Sequence, residues 1–211
     1  ANVTKFLVFQ MPINIILVIL SVFFPVVFLV PAFVAVQILV INICEDSLNS
    51  LAFGGEPAKP EYMNVPPTPK GDSLFAGKTL TGIIAGSIEF LVVFSLLLLP
   101  SVRQFFGDND TLNLTVRFAL FMLVAAFNGF NVRTDGLHLL RGMNRNPLFV
   151  FVAFVIIIGT VGIVSFGGDL FHVTSLTLIQ WLVVFGLAFL VIPMDFVRKL
   201  LIKPFTRLTR V

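Results

Sequence analysis

The chain has 211 residues, 57% hydrophobic and 12% charged, with a mean hydropathy of +1.02. Apolar residues in long blocks instead of amphipathic stripes exclude a soluble globular domain and predict an all-α integral membrane protein. A formal charge of +3 calls for no nucleic-acid partner, and the single Cys44 excludes an internal disulfide or a CxxC metal site.

In chain order, the blocks long enough to span a bilayer as helices are 6–30, 32–53, 80–102, 112–130, 147–166 and 175–197, each near the roughly 20 residues required. They predict a bundle of six transmembrane helices filling one domain, residues 1–211. The first two runs meet at Pro31, where Pro25 and Pro31 suit a tight re-entry between helices. Gly54-Gly55 ends the second helix, and the Pro-rich stretch that follows reads as a stiff polar loop, 54–79, outside the membrane. No internal repeat appears. The chain starts at Ala1 without a signal-peptide layout, so it is expected to be part of something longer.

The second block holds the most informative pattern. Asn42, Glu45, Asp46 and Asn49 fall at i, i+3, i+4 and i+7, which places them on one face of an ideal α-helix, with Ile38, Leu39, Ile41, Ile43, Leu48 and Leu51 over most of the remainder. A carboxylate near the bilayer centre costs roughly 2.5–3.5 kcal/mol on insertion scales. Two adjacent ones therefore call for a bundle interior, an ion, or protons that neutralise them. Cys44, between Asn42 and Glu45, is read chiefly as small apolar packing.

Orientation follows from Lys and Arg. With the N-terminus in the cytoplasm, that side holds Lys5, then Lys59, Lys70 and Lys78, then Arg133, Arg141 and Arg145, and finally Arg198, Lys199, Lys203, Arg207 and Arg210. The other side keeps Arg103, with Arg117 just inside the fourth helix. This asymmetry predicts both termini in the cytoplasm, with the basic tail attracted to anionic headgroups.

Lys5-Phe6-Leu7-Val8-Phe9-Gln10, Val36-Gln37-Ile38-Leu39-Val40-Ile41-Asn42-Ile43-Cys44-Glu45-Asp46 and Leu51-Ala52-Phe53-Gly54-Gly55-Glu56-Pro57 resemble the C-terminal membrane half of P-type calcium-transporting ATPases. The plasma-membrane-type subgroup is nearest, with further matches at Phe127-Asn128, Arg145-Asn146-Pro147-Leu148-Phe149 and Gln180-Trp181. The resemblance implies that the segment corresponds to helices five to ten of such a pump. It implies that Asn42 and Asp46 ligate the transported cation, Ca²⁺, and that upstream helices supply further ligands. It also implies cytoplasmic actuator, phosphorylation and nucleotide domains as partners, using Mg-ATP that this segment does not bind. Coordination chemistry agrees, since Ca²⁺ takes six to eight hard oxygens and amide and carboxylate groups one turn apart can converge on one ion. No Asp-Lys-Thr-Gly motif, Gly-rich phosphate loop or nucleophile with its base occurs here, so the chain is an enzyme only together with the rest of a pump.

Two departures stand out. Members that carry two calcium ions have a Glu three residues after the first-helix Asn, where Asn14 is followed by Leu17, and this favours one cation per cycle. Glu45 stands where the family has Thr or an apolar residue; a further ligand, a proton carrier and an altered ion preference all remain open. Asn14, in line with Gln10 and Ser21 on a helix loosened by Pro12, is either a packing amide or part of the ion site.

Glu89 is read as protonated or structural, and Asp195 as an ion pair with Arg198 and Lys199. Gly82 and Gly86 form a GxxxG pair suited to close packing against the first helix. His138 and His172 each lack a partner at ligand spacing. Besides the pump, an independent secondary cation/proton transporter built on Glu45 and Asp46 and a non-transporting membrane scaffold are the alternative readings. Missing inverted repeats weigh against the transporter and the adjacent acids against the scaffold.

Overall fold

A computed structural model of the chain describes residues 2–55, 77–134 and 143–202. Most of the expected loop 54–79, His138 and the last stretch of the basic tail lie outside the described residues. What is described is all helical. Among the described residues five helices are long and apolar enough to cross a membrane, which makes this a multi-pass membrane bundle.

The first helix, α1 (Asn2–Phe28), keeps its course through Pro12 and Pro25. It ends in a short turn at Leu29, whose φ of 56° is left-handed, an uncommon setting for a leucine. The second helical stretch runs from Ala35 to Gly54 in three pieces: α2 (Ala35–Asn42), a π-helical turn (Ile43–Leu48) and α3 (Asn49–Gly54). Beyond residues 56–76 come α4 (Lys78–Leu96) and α5 (Pro100–Phe106). The sequence predicts one helix over 80–102, but the chain turns at Leu97–Leu99 and restarts with Pro100 as a first helical residue. Proline disfavours helix in the residue before it, yet its fixed φ suits a helix start.

The helix α6 (Asp110–Arg133) is the centre of the bundle, buried continuously from Leu114 to Ala126. Asn109 starts it by accepting a bond from Leu112 N–H at 2.9 Å. The next helix, α7 (Pro147–Phe166), is capped by Asn146, whose Oδ1 accepts from Phe149 N–H and whose Nδ2 donates to Ala52 O. A short α8 (Gly168–Phe171) leads to α9 (Leu178–Phe189), opened by a Thr177/Gln180 capping box, and to α10 (Val191–Ile202). The last two read as one long apolar stretch, Leu178–Leu201.

Aromatic rings lock the core. Phe121 meets Phe33, Phe90 and Phe94, while Phe53 bridges Phe9 and Phe149. The glycine pair sits where close approach demands it. A Cβ on Gly82 would stand 2.8 Å from Val8 Cγ1, and one on Gly86 would stand 3.0 Å from Pro12 Cγ, so α4 lies with its backbone against α1.

Candidate functional site

The carboxylate-bearing segment is not wound as an ordinary α-helix. From Ile43 to Leu48 the backbone follows π geometry, whose i→i+5 bonds make a wider turn than 3.6 residues. Side chains before and after it are therefore rotated away from the single straight line that α spacing predicts. Glu45 is 1% exposed and Asn49 4%, whereas Asn42 is only half-buried and Ile43 faces outward. The four-residue line resolves into a buried pair, Glu45 and Asn49, and a more open amide above it. The Asn49 Nδ2 donates to Glu45 Oε2 at 2.7 Å. The side chain of Asp46 lies outside the described residues, while its backbone is inside the π turn.

On the facing helix, α1, Asn14 is half-buried and makes no hydrogen bond among the described residues, and the same is true of Asn42. One turn before Asn14, Gln10 is 4% exposed, and its buried Oε1 has no hydrogen-bond partner. A buried carbonyl oxygen without a donor is costly, so Gln10, with the half-buried Asn14 and Asn42, stands out as polar in an otherwise apolar bundle. Their oxygens are hard donors of the kind alkaline-earth cations take. Among the described residues no three His, Cys, Asp or Glu side chains come together, and Cys44 is a half-buried free thiol. His172 ends α8 in a left-handed conformation, as a turn residue.

The start of this segment is held from outside the helix. Gln37, fully buried, donates to Phe171 O at 3.1 Å and His172 O at 3.4 Å and accepts from Val34 N–H. Arg117 on α6 donates its Nε to Ala32 O and its Nη2 to Pro31 O, each at 3.1 Å, and lies over the Phe24 ring. The turn's carbonyls have no helical donor, so an arginine 9% exposed serves them. Sequence reasoning missed both roles. The available signal was the break at Pro31, which frees carbonyls that something buried must satisfy.

A second polar cluster lies elsewhere. Asp195 pairs with Arg198 and, at 2.6 Å, with Lys199, as the i+3 and i+4 spacing predicts. Glu89 on α4 is not alone: it takes Arg198 Nε at 3.3 Å. Lys199 also donates to Asn131 O and Thr134 O at the C-terminal end of α6. Two carboxylates and two cations thus tie α4, α6 and α10 together in a neutral set.

Residues 30–201 match the sequence profile of the family described as "Cation transporting ATPase, C-terminus". Among curated relatives, the chain is 32% identical over 97% of its length to "Calcium-transporting ATPase 5, plasma membrane-type" of Oryza sativa subsp. japonica. It is 28% identical over 98% of its length to "Calcium-transporting ATPase 10, plasma membrane-type" of Arabidopsis thaliana. It is 28% identical over 86% of its length to "Plasma membrane calcium-transporting ATPase 4" of Homo sapiens. The chain spans 19%, 20% and 16% of those proteins respectively, about a fifth of their length.

Proposed function

Because this chain belongs to the family of cation-transporting ATPase C-terminal domains, we propose that it is the C-terminal transport part of an ATP-driven pump that moves Ca²⁺ out of the cytoplasm. The reading takes 1–211 as one membrane domain with six crossings, equivalent to helices five to ten of the pump. The stretch Ala35–Gly54 supplies the crossing beyond the five long helices, and both termini face the cytoplasm of a plasma membrane. Upstream helices and the actuator, phosphorylation and nucleotide domains complete the machine, with Mg-ATP bound there.

The observation that carries this proposal is the π turn Ile43–Leu48 with Glu45 buried at its middle. A π turn costs regular hydrogen bonding, and such turns collect at functional sites. In this reading Asn42 and Asp46 offer oxygens to the ion, Asn14 adds an amide from α1, and Glu45 lines the same site while held by Asn49. With Leu17 at the position of a second-site Glu, one Ca²⁺ moves per cycle. These groups make part of a shell of six to eight oxygens, and upstream helices bring the remainder.

The test uses the full-length pump. Asp46→Asn and Asn42→Ala are each expected to abolish calcium-dependent phosphorylation by ATP while leaving phosphorylation by inorganic phosphate intact. Loss of both would mean that the variants misfold. Retention of normal calcium dependence in both would remove these residues from the ion site. Glu45→Gln then separates a ligand, whose loss lowers calcium affinity as Asp46→Asn does, from a proton carrier, whose loss alters only the pH dependence.

A further inference from the structure

The end of the bundle opposite Lys5, Arg133 and Lys199 contains a cavity of about 520 Å³ between the end of α1, the end of α4, α5 and the start of α6. This is within the usual range for a small-molecule site. Its apolar side includes Phe24, Phe28, Leu97 and Phe106. Its polar side carries Arg103, Asp108, Asp110 and Arg117, two charges of each sign. Among the described residues none of the four makes an ion pair. Arg117 is nine-tenths buried, and its Nε and Nη2 are spent on Ala32 O and Pro31 O, leaving Nη1 without a hydrogen bond. Charges of both signs on one wall of a cavity, with Asp110 near enough to act on Arg117 but no direct salt bridge among them, face aromatic and aliphatic groups on the other wall and fit a ligand that is itself zwitterionic and apolar at one end.

Depth points the same way. The apolar span of α4 closes at Leu96, and α5 follows with Leu98, Leu99 and Phe105 exposed around it, the pattern of a short helix lying at headgroup level. We propose that this cavity is a binding site for one zwitterionic phospholipid. The phosphodiester sits on Arg103 and Arg117, the ammonium group on Asp108 and Asp110, and the glycerol and upper acyl chains run along Phe24, Phe28 and Leu97. Balanced lining charge selects a zwitterionic over an anionic headgroup, because an anionic lipid leaves both carboxylates unmatched.

The experiment is native mass spectrometry of the delipidated full-length protein, titrated separately with phosphatidylethanolamine, phosphatidylglycerol and inorganic phosphate. One phosphatidylethanolamine is expected to be retained about tenfold more tightly than phosphatidylglycerol, with inorganic phosphate failing to displace it. Arg103→Gln, a change at an exposed residue, lowers that retention about tenfold. Asp108→Asn combined with Asp110→Asn turns the preference toward phosphatidylglycerol. Equal retention of the two lipids by the wild type, unchanged retention in Arg103→Gln, or displacement by inorganic phosphate alone would overturn the proposal. Retention is read without transport, so the result is independent of the pump assignment.

Discussion

Two buried carboxylates in this bundle are handled in opposite ways. Glu89 sits on a regular helix and is met across the helix boundary by Arg198, which also holds Asp195, while Lys199 completes the neutral set. Glu45 sits on a π-wound segment and takes a hydrogen bond from Asn49, a neutral amide on its own helix. A guanidinium beside a carboxylate joins two helices through the pair, whereas an amide one turn along the same helix orients the carboxylate within its own segment. The first arrangement is a fastener between helices, and the second sets a side chain's direction within one winding.

The sharpest way to break this contrast is to unwind the π turn. Deleting Ser47, an exposed residue inside it, returns the segment to ordinary α register and turns Asn42 relative to Asn49. Calcium-dependent phosphorylation of the full-length pump should then disappear, while the thermal midpoint of the detergent-solubilised protein moves little. A deletion variant that still responds to calcium would show that the winding has no part in transport.

Arg198→Ala probes the fastener and should do the reverse, removing stability before specificity. It leaves Glu89 buried without its cation, at a cost of about 3 kcal/mol. Arg198→Ala with Glu89→Leu should recover most of that loss in the same thermal assay. If the double variant melts no higher than the single one, the pair is not what joins α4 to α10.

Asn49→Leu tests whether the amide only orients Glu45. Losing a buried side-chain hydrogen bond costs about 1 kcal/mol, and calcium affinity should fall along with stability. Smallest of all is Gly82→Ala, which presses a methyl on Val8 but gains helix propensity. A net loss of about 1 kcal/mol of stability, read as a lower thermal midpoint, with normal calcium response, is expected.

Much of this was legible in the sequence. The apolar blocks mark the long helices, whereas the caps at Asn109, Asn146 and Thr177 come from the structure alone. Asp195 names its own partners by spacing. The π turn was not legible, because Ile43–Leu48 contains no Gly or Pro to mark a change of winding. Nor was the partner of Glu89, since nothing in α4 tells which distant helix will bring an arginine beside it. The short α5 was hidden by an apolar run that continues straight through Pro100, and Arg117 was read by its charge when its work is hydrogen bonding to the turn at Pro31 and Ala32.

The contact between α1 and α4 has a mechanical consequence. Pro12 has no N–H to give to the carbonyl four residues back, which belongs to Val8, so α1 lacks one of its own struts there. Val8 and Pro12 are also the two residues that rest against Gly82 and Gly86. The helix is thus braced from outside at the spot where its internal ladder is weakest, as a splint lies along a cut rod. Any tilt or push delivered to the N-terminal end of α1 is passed through that brace to α4, and the two travel as a single beam instead of folding at the proline.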